Sequence, residues 1–123
     1  MKVLVSAIAT LLIAAPTLAC EGFNGQWTCD NGQKVNVSVQ KTDAGYVMVD
    51  QLSKIAIVLD NKPHTGLNPL PHTYQGSCNA TNLNLKINVM GAESIQRLTL
   101  NDAQTVTAAL SYNGQAGTYV CRK

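Results

Sequence analysis

Asn82-Leu83-Asn84-Leu85-Lys86-Ile87-Asn88-Val89 alternates polar and apolar side chains without a break. An extended chain sends successive side chains to opposite faces, so this stretch is a strand with one face buried and one in water. Met90-Gly91 follows as a turn. Downstream, Val106, Ala108, Leu110 and Tyr112 alternate with Thr105, Thr107, Ala109 and Ser111. Upstream, Val35, Val37 and Val39 alternate with Asn36, Ser38 and Gln40, and Ile55, Ile57 and Leu59 follow the same period. Residues 45–51, 73–78, 94–100 and 117–122 also read as strands. Turn residues separate them at Asp43-Ala44-Gly45, Asp60-Asn61, Asn101-Asp102 and Asn113-Gly114. Short strands at this spacing predict an all-β fold, an antiparallel meander of eight to nine strands forming a small barrel or sandwich. The nearest helical pattern, Ile95 and Leu98 within 91–104, is outweighed by Thr99 and Asn101.

The chain has 123 residues and a net charge of +2, and only 13% of its residues are charged. That charge is too small for a nucleic-acid binder, and the length allows one domain. Residues 1–19 read as a secretory signal peptide: Lys2, an apolar run over 3–15, Pro16, then small residues to Ala19. The run is shorter than a spanning helix requires, and no later stretch is apolar enough to span a bilayer. Residues 20–123 are then a single β domain in the periplasm or outside the cell. Thr17-Leu18-Ala19-Cys20 is also similar to a bacterial lipoprotein box, which makes a lipid anchor on Cys20 the alternative.

The mature chain holds Cys20, Cys29, Cys78 and Cys121. An even count in an exported chain suggests two disulfides. Asn24-Gly25 is a strong two-residue hairpin signal. Centred there, a hairpin sets Cys20 opposite Cys29 and leaves Cys78 to pair with Cys121. Lipidation of Cys20 would strand one thiol, which favours the unlipidated form. Zinc sites prefer short paired spacings such as C-x-x-C, and none occurs, so no metal or cofactor is expected. Trp27 with Cys29, Tyr74 with Cys78, and Tyr119 with Cys121 are separated by even numbers, so each pair shares a strand face, expected to be the inner one.

Gly25-Gln26-Trp27 near the start of a β-rich exported chain resembles the G-x-W of the calycins: lipocalins, avidins and small periplasmic metalloprotease inhibitors. The resemblance implies an up-and-down barrel whose tryptophan closes one end. Small exported lysozyme inhibitors share the format of a disulfide-stapled barrel.

Catalytic signals are sparse. There are two histidines, no free thiol under the disulfide assignment, no nucleophile-elbow motif and no phosphate-binding glycine loop, so an enzyme is not expected. The exceptional segment is 60–72, with three of the four prolines and both histidines. Long stiffened loops are often functional. Lys62, His64, Leu67, Asn68, Leu70 and His72 are therefore the candidate binding residues, with Leu67 and Leu70 as apolar anchors. The alternative is a lid whose leucines tuck into the barrel end. The expected function is non-catalytic binding of another exported protein or an envelope glycan, possible hydrolase inhibition included, by a monomer. Two other classes remain open: a carrier with a small ligand inside the barrel, and a lipid-anchored envelope component.

Overall fold

The computed structural model describes residues 20–123 except 31, 52, 53, 68 and 69. The expected signal peptide and candidate residue Asn68 lie outside the described residues.

Among the described residues, ten strands form: β1 (Gly25–Asp30), β2 (Lys34–Thr42), β3 (Gly45–Asp50), β4 (Ala56–Val58), β5 (His64–Gly66), β6 (His72–Cys78), β7 (Asn82–Val89), β8 (Ala92–Asp102), β9 (Thr105–Tyr112) and β10 (Gln115–Arg122). They make one antiparallel sheet in the order β4-β3-β2-β1-β10-β9-β8-β7-β6-β5. This is the predicted meander, with an added short strand, β5, inside the long 60–72 connection. Two tight turns drive it. Met90 and Gly91 have φ of 53° and 88°, and Asn113 and Gly114 have 47° and 84°. Positive φ at both central positions is the type I′ geometry, whose twist matches the flanking strands.

The sheet curls until its ends meet. Residues 56–58 pair with β3, residues 64–66 pair with β6, and the chain bends between them at Asn61, φ 60°. The Asn61 amide donates to the Gly76 carbonyl at 2.7 Å, and the Val58 amide donates to the Tyr74 hydroxyl at 3.3 Å. These two bonds bridge the seam. Inside, Leu83, Leu85, Leu98, Val106 and Ala108 of one wall face Val37, Val39, Tyr46 and Met48 of the other.

The hairpin at Asn24-Gly25 does not form. Asn24 is extended, with φ −60° and ψ 132°, so only Gly25 has positive φ. Both sides of β1 are already taken, by β2 and by β10, which leaves no edge for residues 20–23. Those residues instead make a 3₁₀ turn, Glu21–Phe23, that inserts Phe23 (1% exposed) into the barrel end. Gly25 opens β1, so Gly25-Gln26-Trp27 lies in a barrel strand.

The predicted disulfides are corrected accordingly. The bonds are Cys20–Cys78 and Cys29–Cys121. With ten strands in a closed meander, the first and last become antiparallel neighbours, and the ladder sets Cys29 directly opposite Cys121. Cys20 reaches Cys78 from the turn that plugs the end. The expectation that Trp27, Cys29, Tyr74 and Cys121 point inward holds, since all four are buried. Two disulfides fit an exported protein in an oxidising compartment. Among the described residues, no helix is long and apolar enough to cross a membrane.

Candidate functional site

The barrel is filled at one end and hollow at the other. At the filled end, Phe23, Trp27, Leu98, Val106 and Cys121 leave a void of only about 10 Å³. The Trp27 Nε1–H donates to the Phe23 carbonyl at 2.8 Å, which satisfies the buried indole and locks the plug. At the other end lies a cavity of about 250 Å³. That is just below the usual range for small-molecule sites.

Three strands supply the polar part of this cavity. Asp50 continues the inward face of Tyr46 and Met48 at the end of β3. Ser94 and Gln96 share the inward face of β8 with Leu98, opposite Ile87 and Leu85 on β7. Tyr119 comes from β10, and its hydroxyl donates to Gln96 Oε1 at 3.2 Å. The walls are apolar: Val35, Ile55, Ile57, Ile87 and Leu110, with Tyr112 alongside. Burial pushes the Tyr119 phenol above its ordinary pKa, and the negative charge of Asp50 pushes the same way. β1 pairs with only the last turns of β10, at residues 120–122, so β10 runs on past it. There, nothing lies within 4 Å of where a Cβ on Gly117 would stand.

β8 shows how sequence reasoning missed this site. Its inward positions carry Ser94 and Gln96, whereas Ile95 points outward and is nearly half exposed. A strand that half-buries an amide and exposes an isoleucine breaks the rule of alternation. The usable signal was parity: Ser94 and Gln96 lie an even number of residues from Leu98.

Of the predicted site residues, the described ones, Lys62, His64, Leu67, Leu70 and His72, do not line the cavity. Lys62 is exposed. His64 lies in β5, with Nε2 at 2.9 Å from both carboxylate oxygens of Asp60. Burial favours the neutral acid at Asp60, but the His64 hydrogen bond and the Lys62 amide outweigh it and hold the carboxyl below its ordinary value. His72 is buried at the start of β6, with Nδ1 2.7 Å from the Leu70 carbonyl. Both imidazoles stack with Tyr74, at centroid distances of 5.0 and 6.1 Å. The histidines therefore help to brace the seam. Leu67 and Leu70 are 72% and 50% exposed, which removes the reading of leucines tucked under a lid.

A shallow trough of about 790 Å³ also crosses the outward faces of β6–β10, past Gln75, Asn84, Lys86, Ile95 and Arg97. Its cations are already engaged: Lys86 lies 3.6 Å from Glu93, and Arg97 Nε–H donates to Asn84 Oδ1 at 3.1 Å.

Among solved structures, the chain is similar to a secretary abundant heat soluble (SAHS) protein from Ramazzottius varieornatus. The TM-score is 0.68 at 11% identity, covering 83% of this chain and 95% of that one. No protein-family model and no curated protein matches the sequence. The likeness establishes a shared antiparallel β-barrel fold, and at this identity it concerns the fold alone.

Proposed function

We propose that this chain is an exported, non-catalytic binding protein that holds a small, mainly apolar molecule in the cavity at the hollow end of its barrel. One observation carries the reading: the barrel is packed solid around Phe23 and Trp27 but keeps about 250 Å³ open beside a single polar cluster. A core packed to the usual density has few voids larger than a water molecule. Rigid apolar walls with a few convergent polar groups are the pattern of small-ligand sites. The test is a small-molecule screen followed by methyl NMR. Binding should shift the methyls of Ile55, Ile57 and Ile87 and leave those of Val39 and Val106, at the filled end, in place. Ligands that shift only surface groups would sink the reading.

The second reading is docking on another exported protein, inhibition of a hydrolase included, through the 60–72 segment. Exposure of Leu67 and Leu70 on a proline-stiffened connection favours it, because pre-ordered apolar anchors lose little entropy on docking. Replacing both leucines by alanine should then weaken capture of the partner by more than about 2 kcal/mol, the hot-spot scale. Periplasmic or secreted location belongs to both readings. The Cys20–Cys78 bond supports release without lipid, since a thioether on Cys20 would leave Cys78 unpaired. Intact mass should equal that of residues 20–123 less four hydrogens.

A further inference from the structure

We infer that the open edge of β10 over residues 115–119 takes an extended, uncharged peptide segment as an added antiparallel strand, with one apolar side chain of that segment set opposite Gly117 and turned toward the cavity. The strand pairing stands on backbone geometry alone; the choice of an apolar side chain rests on the cavity being a binding site. β10 pairs with β9 along its whole length, but with β1 only at residues 120–122, because β1 ends at Asp30. Register tells which backbone groups are left over. Gln115 faces Tyr112 across the two-residue turn, and the pair flanking such a turn exchanges hydrogen bonds. Ladder bonds then fall on every second residue, so Gly117, Tyr119 and Cys121 also bond to β9. Ala116, Thr118, Val120 and Arg122 point their backbone groups the other way. The pair Cys29 and Cys121 agrees with this phase: its Cα atoms are 3.9 Å apart, the close spacing of residues that exchange no ladder bonds. Val120 and Arg122 meet Asp30 and Thr28. Among the described residues, no backbone group pairs with Ala116 or Thr118 on that side.

An edge of this kind is a template for another strand, and proteins usually blunt it with charge, proline or a bulge. Residues 115–119, Gln-Ala-Gly-Thr-Tyr, carry no charge and no proline, and their register against β9 is unbroken. By contrast, β4 and β5 at the ends of the sheet order are only three residues long, and Val58 and Asn61 tie the chain there to β6. The side chain of the partner residue follows from the same register. Directly opposed residues share a face, so a peptide residue opposite Gly117 turns inward, as Tyr119 and Cys121 do. Glycine leaves it room, since nothing lies within 4 Å of where a Cβ on Gly117 would stand. Across the ladder from Gly117 is Leu110, and two residues along is Tyr119; both line the cavity. At roughly 30 Å³ per water, the cavity of about 250 Å³ holds about eight waters, which suits one ring on a short arm. A second copy of this chain is the poorer occupant. Paired edge to edge, it would set glycine against glycine and leave the cavity empty, and the 115–119 edge is far shorter than the roughly 20–30 residues a side of a standard interface.

The experiment titrates the acetylated and amidated peptide Ser-Thr-Phe-Thr-Ser into the full mature chain, by calorimetry and by amide hydrogen exchange under NMR. In the free protein the amides of Ala116 and Thr118 should exchange about tenfold or more faster than those of Gly117 and Tyr119, and the peptide should slow the first two by a similar factor. With phenylalanine opposite Gly117, the peptide's two threonines donate to Ala116 and Thr118. N-methylating both should weaken binding about tenfold or more, whereas N-methylating the phenylalanine, whose N–H points away, should change it by less than about threefold. Glycine in place of the phenylalanine should also cost about tenfold. Thr118→Pro removes one edge donor and leaves the β9 ladder intact, so it should abolish binding with little change in melting temperature. Undiminished binding after methylation of both threonines would overturn the added strand while leaving the cavity reading intact. Undiminished binding of the glycine peptide would overturn the side chain in the cavity. No binding of any peptide, or a free dimer with Ala116 and Thr118 already protected, would overturn the whole proposal. The peptide series decides the matter even if Thr118→Pro does not fold.

Discussion

Removing Cys29–Cys121 by a double change to alanine should be the most damaging alteration of the covalent frame. The bond joins residues 92 apart, against 58 for Cys20–Cys78. In the chain-entropy model these loops correspond to about 4.6 and about 4.2 kcal/mol. For a domain of this size, 1 kcal/mol moves the melting temperature by roughly 5 °C, so either loss should lower it by on the order of 20 °C. Connectivity is checked first. Trypsin leaves Cys20 and Cys29 in one peptide, because no Lys or Arg lies between 20 and 34. With the bonds seen in the structure, the non-reduced digest should join 20–34, 55–86 and 98–122 in one three-peptide cluster, the Lys62-Pro63 bond resisting cleavage. The Cys20–Cys29 hairpin would instead release 20–34 alone. A second cut at Phe23 or Trp27 then separates Cys20 from Cys29 and shows which of them carries the Cys121 peptide. A free 20–34 peptide, or a link from Cys29 to Cys78, would refute the account of β1 enclosed between β2 and β10. A drop of less than about 5 °C for the Cys29/Cys121 variant would refute the energetic part.

Leu67→Ala with Leu70→Ala should cost less than about 2 kcal/mol of stability in denaturant melts, since these side chains are only about a quarter and a half buried; Leu83→Ala, at 0% exposure, should cost about 2–5 kcal/mol. Gly76→Ala should destabilise by about 1–3 kcal/mol, because its Cβ would stand 2.9 Å from Leu59 Cδ2 and 3.1 Å from Leu85 Cδ2, whereas Gly117→Ala enters open space and should be neutral or stabilising by up to about 1 kcal/mol. Tyr46, whose hydroxyl donates to Glu21 Oε2 at 2.5 Å, and Tyr119 both have raised folded pKa values. Each keeps its proton longer when folded, so this stability is present below the unfolded pKa of about 10 and is lost as pH rises toward the folded values. Absorbance at 295 nm should show the late phase, and Tyr119→Phe should remove part of it; an unchanged high-pH limb would contradict the assignment.

What the sequence determined by itself was the set of strands and the side of each that turns inward. Alternation over 82–89 and 105–112 needs only the two-residue period of an extended chain, and the aromatic–cysteine spacings need only parity. Even the unusual β8 was legible in this sense, since Ser94 and Gln96 share the parity of Leu98. Partnership was another matter. Asn24-Gly25 carries a strong hairpin signal, yet the turn is not made, because β2 and β10 occupy both edges of β1. Cysteine pairing followed from that closure: an even number of strands sets Cys29 against Cys121, 92 residues away. The cavity depended on it too, since Asp50, Ser94, Gln96 and Tyr119 come from three strands far apart in sequence and meet only when the sheet curls. Side-chain direction is a property of a few adjacent residues, whereas which strands become neighbours depends on how the whole sheet closes on its core.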